Sequence, residues 1–214
     1  SLQFFFQNLK SKDIVYHGII QPRKSTIKSS LCHLLYYDII NNKKLYIKVI
    51  KKEIENLLEQ NKIVLFSEEM FLFNQHKITY NTKLKELYNY LKEYNPTIIF
   101  TARDPREVLP SFYQQRYYNL NQELKHSFQK FIQSKDCEPY KYLNLYKTLK
   151  DIGFKNIILL DYNKLIHSNY TVADLTIGNR GKSKLNQIIQ LPIRNRSKKR
   201  KGVIYTRSLP LSSK

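Results

Sequence analysis

Two short stretches hold the residues best suited to chemistry. In one, Arg103 is followed by Asp104-Pro105-Arg106-Glu107 and, eight positions after the arginine, by Ser111 with Phe112 and Tyr113 directly behind it. A guanidinium presents a planar fork of donors that matches the oxygens of a phosphate or sulfate, and a nearby hydroxyl can add a further donor. In the other, Ser67-Glu68-Glu69 sets two adjacent carboxyl groups behind an apolar run. A carboxylate held near a reacting hydroxyl can take its proton. The chemistry on offer is therefore anion binding combined with proton abstraction. Residue types and spacing also admit plainer readings: Arg103 as a solvated corner residue, Ser111 as an ordinary helix-surface serine, and Ser67 as a helix cap with Glu68 and Glu69 in the first turn.

The elements that must position these groups follow from hydrophobic periodicity. Ile63 to Phe66, Thr97 to Thr101 and Ile157 to Leu160 are short apolar runs without polar alternation, as in strands of a buried parallel sheet, and Ile14 to Tyr16 is a weaker fourth. Between them apolar residues recur at helical spacing: Tyr46, Ile50, Ile54 and Leu57, then Leu84, Leu87, Tyr88 and Leu91, then Tyr142, Leu145, Tyr146 and Leu149, stopped by Gly153. This alternation predicts an α/β domain of three layers, α/β/α, around a parallel sheet, with ligands bound beyond the carboxyl ends of the strands. Both chemical stretches fall there. Asp104 fits a helix N-cap, Pro105 the first helical position and Glu107 the third residue after the cap. Because Asp104 already occupies the positive end of that helix, an anion is expected beside Arg103 rather than on the helix terminus. Pro110 removes a backbone donor and is expected to bend the helix.

A length of 214 residues with 42% hydrophobic content supports one folded domain and excludes a disordered chain. The 37 lysines and arginines exceed the 17 acids to give a net charge of +20, which favours a polyanionic partner: nucleic acid, acidic glycan, phosphate-bearing cofactor or anionic membrane surface. Arg180 to Lys214 contains eleven of the basic residues and no acid, more than half of the net charge. We therefore divide the chain into an α/β domain over residues 1–178 and a loosely packed basic segment over 179–214, with one strand expected at Ile188 to Ile193. Cys32 and Cys137 are far apart, the five histidines show no i, i+4 pair, and no zinc-ligand spacing occurs, so neither a disulfide framework nor a metal site is expected. A reducing, cytoplasmic location fits this usage, and no apolar run is long enough to span a bilayer. Leu2, Phe5, Phe6 and Leu9 lie on one helical face directly after Ser1, so the chain is expected to begin inside its domain.

The stretch Ile98-Ile99-Phe100-Thr101-Ala102-Arg103-Asp104-Pro105-Arg106-Glu107-Val108-Leu109-Pro110-Ser111-Phe112-Tyr113 resembles the 3′-phosphate-binding segment of sulfotransferases that use 3′-phosphoadenosine-5′-phosphosulfate (PAPS). There an arginine ends a central strand, a serine follows eight residues later, and aromatic residues come directly after it. The resemblance is strongest over residues 61–120, extends more loosely over 1–165, and fades beyond. It implies a P-loop-kinase-like architecture, PAPS as co-substrate, a glycan or other hydroxyl acceptor, and Arg103 with Ser111 on the 3′-phosphate. It also implies a glutamate base after the preceding strand, Glu69 in first place and Glu68 in second. Arg200-Lys201-Gly202 is similar to an element that closes over the same phosphate near the C-terminus of some members.

The family's 5′-phosphosulfate loop, a Lys-Thr-Gly-Thr-like turn, does not occur intact, and neither does a Walker loop. Either Ser1-Leu2-Gln3 is the tail of that loop, with Ser1 as its last cofactor-binding residue, or Pro22 to Leu31 is a degenerate version without its glycine. The first placement implies that these residues lack a central strand, leaving a gap or free edge beside the strand that leads into Arg103. A rival reading from another class is nucleic-acid binding through the basic segment. A kinase-like enzyme of the same layered architecture is disfavoured by the missing Walker loop and the lack of an acid pair for Mg²⁺. Tyr113, Tyr117 and Tyr118 with Arg116 could line an acceptor cleft or could simply pack a helix. Asn195-Arg196-Ser197 matches the N-glycosylation pattern.

Overall fold

The computed structural model describes residues 6, 12–18, 30–75 and 77–167. Over these the chain is mostly helical, with two small parallel two-stranded sheets, an α/β class of fold. The first sheet pairs β1 (Ile14–Tyr16) with β2 (Ile63–Leu65), Ile14 opposite Ile63. The second pairs β3 (Thr97–Ala102) with β4 (Asn156–Asp161), Thr97 opposite Asn156. Parallel pairing requires a crossover. Helices α1 (Leu31–Ile40) and α2 (Ile47–Glu59) make the first, and α3 (Tyr80–Leu91) leads from β2 into β3. The second crossover contains α4 (Pro105–Arg116), the short α5 (Gln122–Lys125) and α6 (Phe128–Gln133), a 3₁₀ segment (Lys135–Tyr140) and α7 (Tyr142–Ile152). A short α8 (Tyr162–Ile166) follows β4.

One core joins these parts. Leu35, Ile39, Ile50, Ile54, Leu84, Leu87, Phe100, Leu145, Leu149 and Phe154 are all buried in it, drawn from α1, α2, α3, β3, α7 and the link from α7 to β4. Each such side chain contributes about 1.5–3 kcal/mol by leaving water. Helix α2 buries a stripe, Ile50, Ile54 and Leu57, which is why its periodicity is legible in the sequence. Helix α1 escaped prediction because its sequence, Leu-Cys-His-Leu-Leu-Tyr-Tyr-Asp-Ile-Ile, is apolar nearly all round and gives no stripe. Within α1, Asp38 is fully buried, and its carboxyl accepts the N–H groups of Leu45 (3.2 Å) and Tyr46 (2.9 Å). It thereby satisfies donors at the start of α2, where Tyr46 offers no side-chain cap. Further along the chain Gly153 closes α7 with φ 118°, and an added Cβ would lie 2.7 Å from the Tyr88 ring. Only glycine closes this helix without strain.

A smaller aromatic cluster of Phe112, Leu120, Phe131 and Cys137 holds α4 to α6 and the 3₁₀ segment. The Phe112 and Phe131 ring centres are 5.7 Å apart and those of Tyr113 and Phe131 5.0 Å. This cluster seats the helix that begins beside Arg103.

The four predicted strands and the three periodic helices are present near their expected bounds. Among the described residues the strands form two separate pairs, not one continuous sheet, and the edge of β3 away from β4 carries no strand, which departs from a complete sheet and matches the gap that the first loop placement implies. Glu107 also differs. Instead of reaching back to the N-cap backbone, its carboxylate pairs with Arg103. Both Cys32 and Cys137 are buried free thiols. No helix among the described residues is long and apolar enough to cross a membrane. Ser1, Pro22 to Ser29, Ile188 to Ile193, Asn195, the Arg200-Lys201-Gly202 element and the whole basic segment over 179–214 lie outside the described residues.

Candidate functional site

Arg103 is the first residue after β3, and its surroundings are built from three elements. Asp104 caps α4 by accepting the Arg106 N–H at 2.9 Å and also pairs with the Arg106 guanidinium at 2.7 Å. The side-chain bond from Arg106 is the main cause that holds the Asp104 carboxyl below its usual range. The positive end of α4 is thus already occupied by an anion of the chain's own, as the sequence suggested. Arg103 donates from Nε to Glu107 at 3.2 Å, and its guanidinium carbon lies 5.1 Å from the ring centre of Tyr162, the first residue of α8. The Tyr142 hydroxyl accepts the Arg103 backbone N–H at 3.1 Å and donates to the Arg103 carbonyl at 2.9 Å. No hydrogen-bond partner among the described residues meets the Nη1 and Nη2 edge.

The guanidinium therefore has one face near an aromatic ring, one edge on a carboxylate, and its forked edge open. The side chain is 39% exposed, so an anion can reach it. Glu107 and Ser111 share one face of α4, and Arg103, just before the N-cap, pairs with Glu107, so Glu107 stands between the two groups expected to hold a phosphate. Ser111 is exposed, and no hydrogen bond joins it to Arg103.

The acidic stretch forms a tight turn after β2. Glu68 is the N-cap of a 3₁₀ turn over Glu69–Leu72, its carboxylate accepting the Met70 N–H at 2.9 Å. Capping thus belongs to Glu68, not to Ser67 as the sequence suggested. Glu69 is the first residue of the turn and is exposed. Beneath the turn sits Lys83 of α3, with no exposed surface, donating to the carbonyls of Met70 and Phe73, the latter at 2.5 Å, and placed 5.7 Å from the Tyr36 ring centre. Burial pulls its ammonium down to about 8, against the opposing influence of Glu68. Tyr16 of β1 has its phenol raised to about 12, chiefly by burial, with a hydrogen bond to Ser67 pulling the other way.

Burial pushes the Tyr140 phenol up to about 12, with smaller contributions from Tyr142, Cys137 and Glu69, and Tyr142 clasps Arg103. Sequence reasoning passed over Lys83, although its place on the stripe with Leu87 and Tyr90 marks a lysine facing the core. It also passed over Tyr162, which the rule of searching beyond strand ends would have found. Tyr142 was read only as one member of a helical stripe. Of the suggested cleft residues, Tyr113 donates to the Leu124 and Lys125 carbonyls (3.2 and 2.5 Å), and Arg116 pairs with Asp136 at 3.6 Å, so packing accounts for both. Tyr118 is 87% exposed and contacts Tyr117 edge-on. No group of three or more His, Cys, Asp or Glu side chains among the described residues could hold a metal ion. No family model, curated protein or solved structure matches the chain.

Proposed function

We propose that the chain is a sulfotransferase domain that binds the 3′-phosphate of PAPS at Arg103 and passes the sulfuryl group to a hydroxyl of a glycan or related acceptor. The observation that carries this reading is the open forked edge of Arg103 at the carboxyl end of β3, with its other edge and one face already engaged. A phosphate dianion takes two parallel bonds from such a fork while Nε stays with Glu107. The donor set fits a 3′-phosphate. The arrangement of strands gives further support: two parallel pairs, with β3 uncovered on one edge among the described residues, would be completed by one more parallel strand in a P-loop-kinase-like sheet. That strand and the loop after it would supply the 5′-phosphosulfate contacts.

The nucleotide supplies an activated sulfuryl group; the residues here hold it and manage a proton. Glu69 accepts the proton of the acceptor hydroxyl as that oxygen forms its bond to sulfur. The bond from sulfur to the bridging phosphate oxygen breaks, and adenosine 3′,5′-bisphosphate leaves with the electron pair. Glu68 keeps the turn in shape through its bond to Met70. The nucleic-acid reading rests on the basic segment and draws no support from the described residues.

Calorimetric titration with adenosine 3′,5′-bisphosphate tests the proposal. Saturable one-to-one binding is expected, and its absence, with unrelated DNA or RNA binding instead in a salt-sensitive way, would overturn it. Turnover gives a second test. Glu69→Gln is expected to lower sulfuryl transfer by about 10²–10⁴-fold while leaving bisphosphate affinity unchanged. Unaltered turnover in this variant would remove Glu69 from the mechanism.

A further inference from the structure

We infer that Tyr142 is a positioning residue for Arg103: its hydroxyl fixes the corner from which the guanidinium is aimed. This rests on the reading of Arg103 as the 3′-phosphate anchor. A residue that has just left a strand loses its ladder partners, so its N–H and C=O must be satisfied elsewhere. At Arg103 one hydroxyl does both, accepting from the N–H at 3.1 Å and donating to the carbonyl at 2.9 Å. Because both bonds go to the same residue, they restrain the two backbone dihedrals on which the direction of the side chain depends. The restraint comes from a rigid source: Tyr142 opens α7, whose Leu145 and Leu149 are buried in the main core.

The side-chain contacts of Arg103 are weaker by comparison. Its pair with Glu107 is half-exposed on both sides, and such pairs contribute about 0–1 kcal/mol. The ring of Tyr162 limits one face without fixing the edge. The clamp by Tyr142 thus fixes the Cα–Cβ direction from which the guanidinium extends, and the contacts with Glu107 and Tyr162 act from that fixed base. A misplacement of the order of 1 Å is enough to spoil bidentate binding.

Tyr142→Phe removes the hydroxyl and keeps the half-buried ring packed against the core. The expected result is a loss of bisphosphate affinity of about tenfold, the equivalent of one net hydrogen bond. Binding of adenosine 5′-phosphate, which has no 3′-phosphate, is expected to stay unchanged. Equal weakening of both nucleotides would mark Tyr142 as merely structural and overturn the inference, as would unchanged bisphosphate affinity. In an Arg103→Ala background the effect of Tyr142→Phe is expected to vanish. A ligand-free measurement separates this inference from the reading beneath it. The Arg103 Nε–H resonance of the wild type is expected to show a higher order parameter than in Tyr142→Phe, with Arg106 as the unaffected control. If the wild type binds neither nucleotide, the sulfotransferase reading fails, while the order parameter still decides for or against the clamp.

Discussion

Replacing Arg103 by alanine is expected to weaken adenosine 3′,5′-bisphosphate binding by about 100-fold or more while leaving the fold intact. Two charge-assisted hydrogen bonds are lost, each contributing about 1.5–3 kcal/mol, and each 1.4 kcal/mol is about tenfold in affinity. Stability should scarcely change, because the side chain surrenders only its half-exposed pair with Glu107 and its contact with the Tyr162 ring. Arg103→Lys keeps the charge but loses the planar fork, so its affinity should fall between wild type and alanine. Ser111→Ala should cost much less, since the hydroxyl stands beyond Glu107 on the helix. Calorimetric titration of the three variants, with thermal melts alongside, measures the ranking. Wild-type affinity in Arg103→Ala would dismiss the phosphate-anchor role, and with it the proposed activity.

The largest expected effect on stability is at Lys83. Lys83→Met conserves length and apolar volume but leaves the Phe73 carbonyl without its ammonium donor, at about 1–3 kcal/mol for an unsatisfied group, while the Met70 carbonyl keeps the Phe73 N–H. Losing the cost of burying an ammonium offsets part of this, leaving a net destabilisation of about 1 kcal/mol. Against a total stability of about 5–15 kcal/mol that is measurable in a melt. The effect should depend on pH. The folded-state value of about 8 lies below the ordinary 10.5, so between these limits the unfolded chain holds more protons at this site than the folded one. Stability contributed through Lys83 therefore rises with pH across that window, and the charge penalty is present in full below it. The advantage of wild type over Lys83→Met should widen between pH 8 and 10. Urea melts of both proteins across this range provide the measurement. Effects of the buried tyrosines and of Cys137 are common to both proteins and cancel in the difference. Equal stability at pH 7, or a difference that shrinks with rising pH, would refute the assignment.

The local parts of this molecule were legible because they are governed by neighbours in the sequence. Asp104 and Pro105 announce the start of α4, Gly153 announces the end of α7, and the strands show as short apolar runs. Helix α1 was not legible, since a buried helix has no polar face to set its period. A gap beside β3 was implied by one placement of the loop, but which strands would pair could not be read, because pairing depends on which edges meet in space. The candidate site divides in the same way. Arg103 and Glu69 could be named from their positions after strands. Tyr142 and Tyr162 come from elements made much later in the chain, and nothing near Arg103 in the sequence signals them. Glu107 was legible as a capping residue and misassigned, because a guanidinium within reach outcompetes a backbone N–H for its carboxylate.

The order of pairing also bears on how the molecule comes to exist. Ile14 meets Ile63 and Thr97 meets Asn156, so neither ladder can close until a long intervening segment has been brought round. Loop-closure entropy is paid before such contacts return anything, which makes parallel ladders late events compared with the helices between them. Synthesis from the N-terminus lets β1, α1, α2 and β2 assemble as a unit while the remainder is still being made. The acidic turn belongs to this earlier half. The corner at Arg103 does not: Arg103 acquires its clasp only when α7 has formed and its aromatic neighbour only after β4, so among the described residues the surroundings of Arg103 are completed late.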